Sequence, residues 1–328
     1  MTYHLIGRAD QGGLAQQTVE LARHVPPGRT LIVDLGDKGR GATRPGRYTG
    51  DTRVTDGMPT EADWDWITDG AHTLFAAETA YRATWCEDAR ARGIRTVLQA
   101  NPELYGGDRP DALTLPTDWE AARIPDAVVL PVPVARDLLP PRPPEGTIRC
   151  WYHPAAPAMM DRNGTQIVLA ALRLVTQPVT VILRSGDSRE RTRRIGAATL
   201  IEVGPVTDYP DGYPNQAQGL LLPRRYGGLC LPMAEAASLG WPILSLDLAP
   251  QRSWLPAVGL IPARRAQERR MVGGDFWVHD GAAGALAALI DRLAVDADTV
   301  AELRDRSLVW AETLDWTRWV GEYRRVLA

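Results

Sequence analysis

Short apolar runs alternate with helical segments along the first half of the chain. The runs at 3–7, 30–35, 72–77, 94–99 and 127–132 have the length of buried strands. Helices are predicted at 14–24, 79–92 and 117–123, the second of them closed by Gly93. Residues 36–53 are polar and rich in Gly and Arg, and their apolar positions show little helical or strand periodicity. This predicts a long surface loop. Strands that alternate with helices, without hairpin signals, predict a parallel sheet covered by helices.

The second half repeats this architecture after a change in composition. Six prolines crowd into residues 131–144, which excludes a helix or a central strand there and predicts a stiff connection between two domains. Strands are then predicted at 147–152, 179–184, 199–203, 219–223 and 243–246. Helices are predicted at 164–175, 232–239, 282–293, 298–314 and 316–327. A chain of 328 residues has the length of two ordinary domains.

The stretch 224–242 joins two of these strands and carries the strongest functional signal. Arg224 and Arg225 precede a Gly-Gly turn, which leads into a short helix with Pro232 in its first turn. Glycines let backbone N–H groups at the start of a helix approach an anion closely. Glu235 lies among apolar residues of that helix, where a carboxylate costs stability unless it is solvated or has a partner. An ordinary strand–helix–strand turn is the alternative interpretation.

The first half carries a similar loop and three polar candidates. Gly12 and Gly13 lie between the first predicted strand and helix. Glu78, Asn101 and Glu103 follow predicted strands, and ligands of open parallel sheets bind beyond the carboxyl ends of the strands. These three side chains are therefore candidates for orienting a substrate. Alternatively, the glutamates simply stabilise helix N-termini.

Composition narrows the class of protein. With 45% hydrophobic and 23% charged residues the chain is typical of a globular protein, and its net charge of −3 gives no general attraction to nucleic acid or membrane. Three widely spaced cysteines form no metal or redox motif and are expected to be reduced thiols. The start of the chain lacks a signal-peptide pattern, and no apolar run approaches the ~20 residues needed to cross a bilayer. We therefore expect a cytoplasmic protein without a membrane span.

Several motifs together resemble the retaining family-4 glycosyltransferases. Residues 227–238 resemble the pattern E-G-F-G-L-P-x-x-E-A-M-A, and residues 240–243 resemble the G-x-P-V that follows it. Residues 162–164 resemble the K-G helix start, 203–206 the strand-loop motif, and 314–325 the last helix. The resemblance covers most of the chain and is strongest after residue 146. The family's first glutamate falls on Gly227, and its lysine is replaced by Arg162.

The resemblance implies an α/β protein with the GT-B fold, in which two doubly wound Rossmann-like domains face a central cleft. Residues 1–145 would form the acceptor-side domain and 146–310 the nucleotide-sugar-binding domain, while the helix at 311–328 would pack back on the first domain. The implied nucleotide-sugar-binding residues are Gly12, Gly13, Arg162, Arg184, Gly204, Val206, Arg224, Arg225, Gly227, Gly228, Leu229 and Glu235. Glu235 would bind the ribose, and the arginines and loop amides the diphosphate.

The implied activity is metal-independent, retaining transfer of a sugar from a nucleotide-diphosphate sugar to a hydroxyl acceptor. No cofactor is expected beyond this co-substrate, and Glu78, Asn101 and Glu103 would act on the acceptor. The acceptor classes are a small molecule, a glycan or modified DNA. The family's fold also occurs in phage enzymes that glycosylate DNA bases, and the arginines at 264–270 could contact phosphates, although a solvated loop is the simpler interpretation. A nucleotide-sugar epimerase and a non-catalytic nucleotide-sugar binder remain as alternatives.

Overall fold

A computed structural model describes residues 2–9, 13–36, 45–155, 160–185, 190–205 and 212–328. The chain forms two compact units. The first contains the residues up to Pro133 together with Met271–Gly274 and Trp316–Ala328. The second contains Val134–Arg270 and Asp275–Asp315. The proline-rich stretch therefore lies where the first unit gives way to the second.

The first unit is built on a seven-stranded sheet in the order β3-β2-β1-β4-β5-β6-β7. Every neighbouring pair of strands is parallel. All five residues of β4 are buried, which is the pattern of a strand covered on both faces. The strands are β1 Tyr3–Arg8, β2 Arg29–Val33, β3 Asp51–Val54, β4 Thr73–Ala77, β5 Arg95–Gln99, β6 Ala112–Leu115 and β7 Val128–Val129.

Three helices of this unit, α1 Gly13–His24, α2 Glu61–Thr68 and α3 Trp85–Ala91, lie between its strands in sequence. The predicted helix 79–92 is too long, because Tyr81 has a φ of 58°, which no right-handed helix contains, and α3 begins only at Trp85. The predicted helix 117–123 is a 3₁₀ turn over Ala121–Arg123, and the predicted strand 127–132 is reduced to β7. The predicted loop 36–53 includes the start of β3, whose partly exposed side chains gave no strand signal. The sequence did not predict β6 or α2.

The second unit has its own seven-stranded sheet in the order β10-β11-β9-β8-β12-β13-β14. Its pairs are parallel except β10 with β11, which form an antiparallel edge. Its strands are β8 Cys150–Pro154, β9 Thr180–Arg184, β10 Arg191–Ile195, β11 Ala198–Val203, β12 Gly219–Leu221, β13 Ile243–Leu246 and β14 Leu260–Ile261. Its helices are α4 Thr165–Leu172, α5 Leu231–Ser238, α6 Gln251–Trp254, α7 Ala283–Leu293 and α8 Ala297–Glu312. The alternation of strands and helices predicted from the sequence is thus confirmed in both units.

A core cluster fixes the layers of the second sheet. Trp151 of β8, Val168 of α4, Leu244 of β13 and Ile290 of α7 are nearly inaccessible to solvent and belong to one apolar cluster. Burial of each such side chain contributes roughly 1.5–3 kcal/mol. The same cluster positions the amino end of α4 against the sheet, which matters for the site described below.

The last helix, α9 Trp316–Leu327, belongs to the first unit. The indole Nε1 of Trp316 donates a hydrogen bond of 3.1 Å to the buried Glu20 of α1. The Tyr323 hydroxyl donates to the carbonyl of Pro131 at 3.0 Å, and Arg95 donates to the carbonyl of Val326. These contacts hold the end of the chain to the first sheet. Within the described ranges no helix is both long and apolar enough to cross a membrane.

His153 near the end of β8 is a fully buried structural histidine. Its Nδ1 lies 2.7 Å from the carbonyl of Leu221, which can only accept, so Nδ1 carries the proton. Its Nε2 lies 2.9 Å from the Thr165 hydroxyl, which then donates to it. Burial lowers the pKa of His153 from 6.5 to about 4. The folded state therefore holds this imidazole neutral.

This burial predicts a loss of stability in mild acid. As the pH falls from 6.5 to about 4, the unfolded chain binds a proton at His153 that the folded chain does not, so the free energy of unfolding decreases. The full effect of this histidine is about 3 kcal/mol. Urea midpoints measured from pH 7 to pH 4 should fall more steeply for the wild type than for His153→Asn, whose amide still donates to Leu221 but does not titrate. Parallel pH profiles for the two proteins would contradict the prediction.

Candidate active site

The loop between β12 and α5 is shaped around an arginine. Gly227 in this loop has a φ of +96°, and a Cβ there would lie only 2.2 Å from Nη2 of Arg162. The guanidinium of Arg162 also lies over the ring of Tyr226, 5.1 Å from its centroid. A glycine at 227 is therefore what allows this guanidinium to lie directly on the loop. The glutamate that the family pattern has at this position would meet the arginine.

Arg162 owes its place to the start of α4. Gly164, the residue before that helix, has a φ of +74°, and a Cβ there would lie 2.3 Å from the backbone oxygen of Pro223. This close approach places the amino end of α4 in contact with the segment that follows β12. The backbone N–H of Arg225 donates to the carbonyl of Arg162 at 2.9 Å, which fastens the two segments together. Two segments far apart in sequence thus build one surface.

The amino ends of α4 and α5 differ in how their N–H groups are used. The Asp161 carboxylate accepts hydrogen bonds from the N–H groups of Thr165 and Gln166 at 2.7 and 2.9 Å. The amino end of α4 is therefore already occupied by a carboxylate of the chain itself. The residue immediately before α5 is Cys230, and among the described residues no side chain caps that helix. The amino end of α5, rather than that of α4, is therefore the one suited to an external anion.

Three other arginines hold the backbone of this region in place. Arg224 donates to the carbonyl of Leu229 at 2.6 Å and is only 5% exposed. Arg225 donates from Nε to the carbonyl of His279 at 2.8 Å and from Nη1 to that of Met160 at 3.1 Å. Arg184, at the end of β9, donates to the carbonyl of Gly204 at 3.0 Å. These bonds tie the loops of this region to one another.

Glu235 in α5 is a buried carboxylate with a tyrosine partner. Its side chain is 4% exposed and accepts a short hydrogen bond from the hydroxyl of Tyr213. The Tyr213 ring packs edge-on against Tyr152 and Trp241, with centroids 5.7 and 5.9 Å apart. Burial raises the pKa of Tyr152 to about 12, and its hydroxyl is hydrogen-bonded to Arg184. Sequence reasoning missed Tyr213, because a tyrosine in a polar loop has no spacing that relates it to a helix.

In the first unit the structure brings two of the three polar candidates together. The Asn101 amide donates to the Glu78 carboxylate beyond the carboxyl ends of β5 and β4. Glu78 is held in the left-handed region, and its N–H donates to the carbonyl of Gln99 at 2.8 Å. Such strain in a residue other than glycine is typical of functional positions. Glu103 is instead fully buried in a 3₁₀ turn, and its backbone oxygen accepts from the N–H of Gly273 at 3.1 Å.

Of the remaining predicted site residues, Gly13 is the first residue of α1 and is exposed, while Gly228 is buried and Leu229 half-buried in the loop before α5. Gly12 and Val206 lie outside the described residues. In the part of the chain that the structure describes, no group of three or more His, Cys, Asp or Glu side chains could hold a metal ion. Two Asp-x-Asp pairs occur in the sequence, but Asp63 and Asp296 cap the starts of α2 and α8.

The arginines at 264–270 lie on a strand, so the predicted loop is wrong, although their side chains are exposed to solvent as expected. β15 Ala263–Met271 pairs with β16 Gly274–Gly281 in a two-stranded sheet, and the residues between its ends are exposed. Arg270 pairs with Asp275 at 2.8 Å and Arg264 with Asp280 at 3.7 Å. The guanidinium of Arg265 lies over Trp277, 5.1 Å from the ring centroid. Acidic partners thus offset part of the positive charge of this hairpin.

Two units, each with a doubly wound α/β sheet of seven strands, define the GT-B fold of glycosyltransferases, and the chain has this fold. The structure of HepE from Anabaena, in complex with UDP-glucose, matches with a TM-score of 0.71 at 11% identity, over 100% of this chain and 99% of that chain. Sucrose-phosphate synthase from Thermosynechococcus elongatus matches with a TM-score of 0.68 at 13% identity, over 99% and 98% of the two chains.

A third solved structure, the lipopolysaccharide outer core galactosyltransferase WaaB in its apo form, matches with a TM-score of 0.56 at 12% identity, over 99% of this chain and 100% of that chain. No protein-family model matches the sequence, and no curated protein matches it. The fold predicted from the motifs is therefore confirmed. Membership of family 4 in particular stays a prediction.

Proposed function

We propose that this protein transfers a sugar from a nucleotide-diphosphate sugar to a hydroxyl acceptor. The observation that carries the proposal is the placement of the Arg162 guanidinium on the Gly227 loop, which leads into the uncapped amino end of α5. A cation and a set of backbone amides at one place are suited to a diphosphate. Glu235, in the same helix, supplies a carboxylate for the ribose hydroxyls. HepE, which shares the fold, has been solved with UDP-glucose bound.

In the proposed reaction the bond between the anomeric carbon and the diphosphate oxygen breaks. The acceptor oxygen bonds to that carbon on the same face, and the acceptor proton passes to the departing phosphate. Arg162 and the amides at 227–229 stabilise the negative charge that develops on the diphosphate, so electrostatics and positioning supply the rate acceleration. Retention of configuration and independence of a metal are parts of the proposal that the resemblance to family 4 supports.

We assign the acceptor hydroxyl to the Glu78–Asn101 pair of the first unit. The Asn101 amide fixes the Glu78 carboxylate, and a carboxylate has about four sites that accept hydrogen bonds. A hydroxyl that donates to Glu78 would be oriented without further change in the side chain. We leave Glu103 out of the proposed step, because its side chain is 0% exposed whereas that of Glu78 is partly exposed.

The donor is tested with a thermal-shift panel of UDP, GDP, ADP and TDP sugars. A site-specific ligand at 100 times its dissociation constant stabilises the folded protein by about 2.7 kcal/mol, so the true donor should raise the Tm clearly. The binding donor is then incubated with and without hydroxyl acceptors. Turnover without any acceptor would indicate an epimerase, and binding without turnover a non-catalytic binder. No response to any nucleotide sugar would contradict the proposal.

A hydroxymethylated base in duplex DNA is included among the acceptors because β15 presents four arginines on an exposed strand. If these arginines contact phosphates, binding of such a duplex weakens steeply as salt rises. Binding that does not depend on salt, or no binding at all, would remove DNA from the acceptor classes and leave small molecules and glycans.

A further inference from the structure

We infer that Tyr213 is the residue that positions Glu235 for binding the ribose of the nucleotide, and that the pair confers selectivity for ribonucleotides. This inference rests on the function proposed above. Its basis is the hydrogen bond from the Tyr213 hydroxyl to Oε2 of Glu235, between two side chains that are 7% and 4% exposed. Recognition of the ribose by Glu235 thus depends on a residue outside α5.

The Tyr213 ring is fixed by its neighbours. It lies edge-on to Tyr152 at 62° and to Trp241 at 71°, and these three rings belong to a buried cluster with Met233 and Leu220. Edge-to-face aromatic pairs of this kind are attractive beyond the area they bury. The packed ring holds the hydroxyl beside Glu235, and its hydrogen bond holds the carboxylate in the observed orientation.

A carboxylate fixed in this way can still bind a ligand. Tyr213 supplies one donor, and a carboxylate accepts at about four sites. The 2′ and 3′ hydroxyls of a ribose can donate to a carboxylate that is already oriented, without the entropy cost of ordering it first. A nucleotide that lacks these hydroxyls gains nothing from that preorganisation. Tyr213 should therefore strengthen binding of ribonucleotides and leave dideoxynucleotides unaffected.

The test compares Tyr213→Phe with the wild type by isothermal titration. The ligands are whichever of UDP, GDP and ADP the wild type binds most tightly, and the 2′,3′-dideoxy form of the same nucleotide. Tyr213→Phe keeps the ring and loses the hydroxyl, so the Glu235 side chain has to be ordered on binding, and the Kd of the ribonucleotide should rise severalfold, up to about tenfold. The Kd of the dideoxy form should not change. Glu235→Gln should bind the two forms nearly equally.

Tyr323→Phe is the matched control, because it also removes a buried tyrosine hydroxyl, in this case one bonded to Pro131 and Gln99 of the first unit. It should lower the Tm and leave both dissociation constants unchanged. An equal loss for the two nucleotide forms in Tyr213→Phe, or a lower Tm with unchanged preference for the ribonucleotide, would show a structural role only and overturn the inference. A wild type that prefers the ribonucleotide shows that the proposed donor site itself is present. A wild type that binds none of the nucleotides overturns both.

Discussion

Gly227→Ala should weaken binding of the nucleotide donor about thirtyfold while the protein stays folded. The added Cβ would lie 2.2 Å from Nη2 and 2.9 Å from Cζ of Arg162, so the guanidinium has to leave the loop. Because Arg162 is a long, flexible side chain, it can move at little cost in stability. Loss of its charge-assisted hydrogen bonds to a diphosphate corresponds to about 2 kcal/mol, which is about thirtyfold in Kd. Isothermal titration with the donor measures this change.

Gly57→Ala is the matched control for this substitution. Gly57 has a φ of +90°, close to that of Gly227, but a Cβ there meets nothing within 4 Å. Both variants should lose about 1 kcal/mol from forcing alanine into the left-handed region. Only Gly227→Ala should also lose donor affinity. If both variants bind donor as the wild type does, the placement of Arg162 is not what binds the phosphates.

Gly164→Ala should be the most destabilising of these glycine substitutions, at about 3 kcal/mol. A Cβ at this position would lie 2.3 Å from the oxygen and 3.1 Å from the carbonyl carbon of Pro223, and backbone atoms cannot move aside as the end of an arginine can. The left-handed conformation costs about 1–2 kcal/mol, and the steric overlap adds roughly 1–3 kcal/mol. The amino end of α4 should move away from the segment that follows β12. Donor affinity should fall because Arg162 shifts with it.

The steric part can be isolated with Gly70→Ala. Gly70 has the same φ of +74° as Gly164, and a Cβ there meets nothing within 4 Å. Its cost should stay near 1 kcal/mol. Native-state hydrogen exchange measures the free energy of unfolding in each unit separately, which suits a protein with two units. Equal losses for the two variants would mean that the contact with Pro223 relaxes at no cost.

The strands and helices that the sequence predicted correctly are those in which apolar residues recur with a clear periodicity or form an uninterrupted run. The helices predicted at 282–293, 298–314 and 316–327 are observed as α7, α8 and α9, shifted by no more than two residues. β15 was missed because its side chains are exposed along nearly its whole length, so no alternation marks it. α3 was predicted too long because a tyrosine gives no sign in the sequence that it adopts a left-handed conformation, as Tyr81 does.

The sequence by itself determined the alternation of strands and helices, the break in composition between its two halves, and a glycine loop with a carboxylate in the following helix. These are local features, since each depends on neighbouring residues. Only the tertiary structure decided that Arg162 lies on Gly227, that Tyr213 holds Glu235, and that Glu103 is buried. The physical reason is that these features depend on contacts between segments distant in the chain, and the packing of separate loops and helices on the sheets sets them.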